Sequence, residues 1–230
     1  MSVLRRTADN ARDDSFATRS RRKRFAVFLR LIGHLPRPTR ILDIGGSQLF
    51  WQTMHFTEDD PVHITLLNLS APRISWRNVA SVAANACDLS LYPDGAFDVV
   101  FSNSVIEHVG GPEDQRRMAD EVRRVGKAYF VQTPNRYFPI EPHFLVPCFQ
   151  FLPVGVRVYL VRHFDLGWIG RGRRITDRET ARELVTGIRL LSGHELRELF
   201  PDATIYRERM FGLTKSFVAY RGNATTPLSS

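Results

Sequence analysis

The chain has only two cysteines in 230 residues, Cys87 and Cys148. Two thiols cannot build a disulfide framework or a four-cysteine metal site, and they read as reduced thiols of a cytoplasmic protein. The first fourteen residues, MSVLRRTADNARDD, carry no apolar core of the kind a secretory signal needs. No uninterrupted apolar run approaches the roughly 20 residues of a membrane span. The richest stretch, 144–161, is broken by Pro147, Gln150, Pro153, Gly155 and Arg157. That stretch reads as an apolar cap over a pocket, with peripheral contact to a membrane surface as the alternative. There is no G-x-G-x-x-G dinucleotide fingerprint, no phosphate-loop lysine and no N/D-P-P-Y-like segment of amino-group DNA methylation. His55, His63, His163 and His194 lack metal-ligand spacing, so no metal site is expected.

What is present starts with charge. The net charge of +8 lies entirely in residues 1–40, with 11 Lys+Arg against 3 Asp+Glu, and residues 41–230 are balanced at 21 of each. The dense part, Arg19 and Arg21–Arg24, reads as a solvated basic face on a helix from about 19 to 35. Contact with an anionic substrate, RNA or a membrane is the alternative. Past Pro36 the pattern changes to short apolar runs at 40–46, 62–69, 81–87, 97–102 and 127–133. Runs rich in β-branched residues, separated by helical segments such as 115–125 and 191–200, predict an α/β doubly wound, mostly parallel sheet. ATIYRERMF and TKSFVAYRG, with Gly212 between them, predict two closing strands. Residues 134–185, rich in proline, aromatics and arginine, read as a largely helical insertion after the fifth strand. Its substrate-covering part is placed at about 136–180. The boundaries follow as a basic segment over 1–39, the main domain over 40–221 and a tail over 222–230.

In such a sheet ligands sit beyond the carboxyl ends of the strands. ILDIGGSQLFW puts Asp43, Gly45, Gly46 and Ser47 there; glycine permits tight turning and close approach of a ligand. Asp43 can anchor that turn or meet a cationic ligand group. Asn68 closes the second strand, and CDLSLYPDGAFDVVFSNSVIEHV (87–109) follows the third. With these blocks the chain resembles the class I S-adenosylmethionine-dependent methyltransferases, in particular the methyltransferase type 11 group, over about 40–221. The resemblance implies a Rossmann-like seven-stranded sheet with an antiparallel closing strand and S-adenosylmethionine as cofactor. By position it places Asp43, Gly45 and Gly46 at the methionine portion, Asn68 at the ribose, Asp88 and Leu89 at the adenine, and Ser102 or Asn103 at the amino-acid end. Two positions depart from the group: Ser47 stands for its third glycine and Asn68 for its ribose-binding acid. An amide still bonds a hydroxyl, without charge assistance.

A sulfonium methyl is already activated, so catalysis is mainly alignment. A hydroxyl acceptor also wants a base. Glu107, His108, Glu141 and His143 are the candidates, His108 first and Glu141 and His143 next. The alternatives are a helix-start histidine and a loop staple in which Glu141 accepts backbone donors. The implied reaction is methyl transfer to a small or medium-sized metabolite, such as a sugar, phenolic or lipid-linked intermediate. RNA or protein methylation, a non-catalytic interaction module and a nicotinamide oxidoreductase are the competing readings. Oligomeric state stays open.

Overall fold

The computed structural model describes residues 16–167 and 175–222. The leading residues 1–15, part of the insertion and the tail from 223 lie outside them. Strands β1 (Thr39–Ile44), β2 (Val62–Asn68), β3 (Val79–Ala83), β4 (Phe97–Asn103), β5 (Gly126–Pro134), β8 (Thr204–Met210) and β9 (Leu213–Arg221) form one sheet in the order β3-β2-β1-β4-β5-β9-β8. β1 to β5 run parallel, and β9 pairs antiparallel with both β5 and β8. This is the Rossmann-like seven-stranded sheet with an antiparallel closing strand.

Strand side chains alternate between two faces, and each face has its own core. Ile41, Val99, Phe101, Phe130, Val218 and Tyr220 meet helix α1 (Phe16–Ile32) and Trp51 of the short helix α2 (Gln48–Thr53) on one side. Leu42, Ile44, Val100, Tyr129, Val131 and Ala219 meet α3 (Pro112–Val125) and, beyond the insertion, α6 (Gly193–Leu199) on the other. The first core is aromatic at its centre, with Phe101 and Phe130 stacked at 5.3 Å and Phe28 edge-on to both.

Several expectations need correction. The third strand ends at Ala83 rather than Cys87. Asn85 Oδ1 accepts from the Cys87 amide at 3.0 Å, a local turn that competes with strand pairing. Among the described residues, the connections 69–78 and 84–96 contain no helix; Leu89 and Tyr92 of the second pack into the core, Tyr92 edge-on to Phe97. The basic face is not simply solvated. Arg24 lies against Glu208 of β8 at 2.6 Å, the two side chains only 11% and 9% exposed. Arg21 is half-buried over the Phe50 ring, and burial lowers its pKa to about 10. Arg19 lies in α1, but its side chain is outside the described set.

The insertion opens not as helix but as a two-residue ladder, β6 (Ile140–Glu141) with β7 (Val146–Pro147). Pro134, Pro139, Pro142 and Pro147 forbid a continuous helix there. Helices α4 (Val154–His163) and α5 (Arg178–Thr186) follow and share a separate small core of Phe144, Phe149, Val158, Val161, Ala181 and Val185. That core runs past residue 180, where the covering segment was expected to stop. Among the described residues no helix is long and apolar enough to cross a membrane.

Candidate active site

Strand order reverses between β1 and β4, and both strands deliver their carboxyl ends to that switch point. Gly45 turns the chain with φ +74° and donates its amide to Leu67 O at 2.7 Å; a Cβ there would lie 2.5 Å from a Val105 methyl. Gly46 has a different reason to be glycine: a Cβ would fall 1.7 Å from Asp43 Oδ2. Asp43 is 1% exposed and accepts from the Trp51 indole N–H at 2.7 Å. Burial raises its pKa to about 8, with the indole bond working the other way. Of its two expected roles, the structure displays the turn anchor. Ser47 caps α2, its hydroxyl accepting from the Phe50 amide at 3.3 Å.

Asn68 is half-buried and donates its amide to Gly46 O at 3.0 Å, so it ties the end of β2 to the glycine turn. A carboxylate could not make that bond, which gives a local reason for amide in place of acid. Ser102 is fully buried beside Ile44 and Val131, and its Oγ has no hydrogen-bond partner. Asn103 ends β4 next to Gln132. These residues, except Asp43, meet at one edge and could hold a ligand there. The glycine turn, the unpartnered Ser102 hydroxyl and the Asn68 amide fit a nucleoside carrying an amino-acid end.

Asp88 and Leu89 lie in the loop that follows β3. Because β3 stops early, the first residues beyond it are Ala84, Asn85 and Ala86. Asp88 lies five residues past the strand end, exposed, in a recess of about 480 Å³ with Arg117 and Arg124 of α3. Its pKa is lowered by hydrogen bonds from Ser90. Leu89 is buried, its amide donated to Glu121 Oε2 at 2.6 Å.

The acceptor-side candidates do come together. Glu107 and His108 occupy a 3-10 turn, Ile106–His108, held by Gln115, which donates to Ile106 O and Arg189 O at 2.9 Å each. Glu141, 2% exposed, accepts at Oε2 from the His143 and Phe144 amides, at 2.8 and 2.7 Å. Its Oε1 pairs with His143 Nδ1 at 2.6 Å. His143 Nε2 in turn lies 3.1 Å from His108 Nε2, the rings perpendicular and 4.8 Å apart. Glu141 is therefore both a loop staple and the end of a Glu–His–His chain.

Glu107 is fully buried, with Oε2 accepting from Thr133 Oγ1 at 3.0 Å and Oε1 without a partner. Burial lifts its pKa to about 7, against the pull of His143. Burial opposes a charge on His143, but the Glu141 bond leaves its pKa raised. His108 keeps an exposed edge, and withdrawal from water around its nitrogens, then the charge of His143, lower its pKa to about 4. Trp51, Thr133 and Gln115, which orient these groups, carry no signal in the sequence beyond their residue type.

A strand order with this reversal and an antiparallel closing strand defines a class I methyltransferase fold. Residues 42–129 match the family model described as a methyltransferase domain. Two uncharacterised proteins of Mycobacterium tuberculosis are 43% identical over 67 residues, 29% of this chain. The match spans only 22% of those relatives' length. Among solved structures, the 1,6-didemethyltoxoflavin-N1-methyltransferase of Burkholderia thailandensis superposes with TM-score 0.52 at 14% identity, covering 89% of this chain and 79% of that one. The N-methyltransferase NodS of Bradyrhizobium japonicum gives TM-score 0.52 at 11% identity, covering 94% of each chain. Both were crystallised with S-adenosylhomocysteine. At these identities they speak for the fold.

Proposed function

We propose that this protein transfers a methyl group from S-adenosylmethionine to a small or medium-sized metabolite bearing a hydroxyl and an acidic group, in the cytoplasm. The observation that carries the proposal is the meeting, at the switch point of a methyltransferase domain, of the Gly45–Gly46 turn with the end of β4. Gly45, Gly46 and Ser47 would hold the methionine portion, and Ser102 or Asn103 its amino-acid end. The ribose takes the remaining capacity of Asn68. The loop after β3, with Asp88 and Leu89, would meet the adenine. Asp43 supports the turn from beneath.

When bound, the cofactor supplies a methyl already activated for in-line displacement: the S–CH3 bond breaks as the O–CH3 bond forms, and the acceptor's proton is released. The chain's own contribution is to place the acceptor oxygen beside His108 and to take up its proton, with Glu141 fixing His143 behind it. The insertion covers the acceptor. It bounds a recess of about 210 Å³ lined by Phe144, Phe149, Arg136, Arg157 and Arg189, among others. Three arginines in that lining favour an anionic group on the acceptor. The two thiols are free, in keeping with a reducing compartment.

Calorimetry with S-adenosylmethionine, together with labelled-methyl transfer into a metabolite extract resolved by mass, tests this reading. A labelled small-molecule product, and loss of cofactor binding in Gly45→Val, are expected. Cofactor binding that survives Gly45→Val, or label found only in RNA or protein, would overturn it.

A further inference from the structure

Glu107, His108 and His143 place one potential ligand atom each within 4.8 Å of one another. The two imidazole nitrogens are already spaced as a shared cation would require, and a small rotation of the Glu107 side chain brings the third donor into reach. At a metal–nitrogen distance of about 2.0–2.1 Å, two Nε2 atoms 3.1 Å apart subtend roughly 100° at a shared ion, between octahedral and tetrahedral angles. Both rings turn the same nitrogen toward that point. The third residue is Glu107, whose Oε1 is a buried carboxylate oxygen that has no protein partner and calls for one.

The surroundings match as well. A metal-bound histidine characteristically gives its other ring nitrogen to a carboxylate, and His143 Nδ1 lies 2.6 Å from Glu141 Oε1. The Glu141 carboxylate is itself locked by two backbone amides. Glu107 is oriented by Thr133 at its second oxygen, leaving Oε1 without a partner. Three ligands drawn from two separate loops leave coordination positions open toward the acceptor side. Two imidazoles select zinc-like transition ions over magnesium or calcium, which prefer all-oxygen shells.

We propose that Glu107, His108 and His143 bind one first-row divalent transition-metal ion, oriented by Glu141 and Thr133, with an open position for an oxygen of the acceptor. Cation binding follows from these residues alone; the use of the open position rests on the methyl-transfer reading above. There the ion lowers the pKa of the bound hydroxyl, whose proton leaves to water, and His108 serves as ligand instead of base. The acceptor class narrows to metabolites whose hydroxyl can coordinate, alone or with a neighbouring oxygen.

The test is titration of the chelator-treated full chain with cobalt(II), followed by visible absorption, and with zinc by calorimetry. One ion per chain is expected, with a ligand-field band. Binding should weaken at least tenfold in His108→Gln and in His143→Gln, and ten- to a hundredfold in Glu141→Gln. His194→Gln, on exposed α6, should bind as the parent does. Far-UV dichroism checks folding; should Glu107→Gln unfold, the two histidine variants decide the matter, since both rings reach the surface. No binding, or binding indifferent to both histidines, would overturn the proposal. S-adenosylmethionine binding is measured on the same metal-free protein. Cofactor bound without cobalt removes the metal and leaves methyl transfer; cobalt bound without cofactor does the reverse.

Discussion

Trp51 donates its indole N–H to Asp43 at 2.7 Å, joining the first residue of helix α2's buried face to the strand that ends in the glycine turn. Both groups are buried, and in the described structure the indole is the only hydrogen-bond donor placed on that carboxyl. Trp51→Phe should therefore cost about 2–4 kcal/mol, combining the lost donor with a cavity in the aromatic core. Urea unfolding measures it. A loss under about 0.5 kcal/mol would show that the pair is dispensable.

The same carboxyl makes a pH prediction. Burial lifts its native pKa to about 8 from the ordinary 3.8, so between those values the folded chain binds a proton that the unfolded chain has released. Stability must fall as pH rises through this window, by at most roughly 1.4 kcal/mol per unit from this group. Asp43→Asn keeps an acceptor for Trp51 and removes the titration. Its stability curve between pH 5 and 8 should be flatter than the parent's; parallel curves would contradict the assignment.

Asn68→Asp restores the acid that the resemblance leads one to expect, yet it sets a carboxylate against Gly46 O. The ligand-free protein should lose about 1–2 kcal/mol, since a donor becomes a second acceptor. Thermal unfolding with and without S-adenosylmethionine checks this. A stabilised ligand-free variant would mean that the Asn68–Gly46 bond is not formed in solution.

Arg24 and Glu208 form a largely buried pair, with Ser216 also donating to Glu208. Arg24→Ala leaves a buried carboxylate short of its main cation and should cost about 3 kcal/mol. Arg24→Leu combined with Glu208→Leu should recover most of that loss. Denaturant midpoints of the two variants decide; a double variant no better than the single would place the effect in packing alone.

Much of the sheet is legible in the sequence because fully buried parallel strands are written as contiguous apolar runs, as at 40–46 and 97–102. The third strand is misplaced because SVAANAC is apolar throughout, and only the Asn85 side chain, a matter of local hydrogen bonding, says where pairing stops. The glycine turn is legible as Gly45–Gly46. Its internal reasons, the Val105 methyl and the Asp43 carboxyl, depend on packing across the switch point. Glu107, His108, Glu141 and His143 can each be singled out as polar residues near strand ends. That the two histidines face each other cannot be read, because 35 residues and a proline-rich ladder separate them. The basic segment misleads for a related reason: its charge is visible in the sequence, whereas the buried partner of Arg24 lies 184 positions away.

Strand β9 is the last of the seven in chain order but sits inside the sheet, between β5 and β8. Until residues 213–221 arrive during synthesis, β5 presents a bare edge, Val131 and Phe130 lack their neighbours Ala219 and Tyr220, and α1 has no Glu208 held in place to receive Arg24. The nascent chain up to residue 212 is thus an unfinished surface that invites pairing with other chains. Its assembly is gated by the late strand.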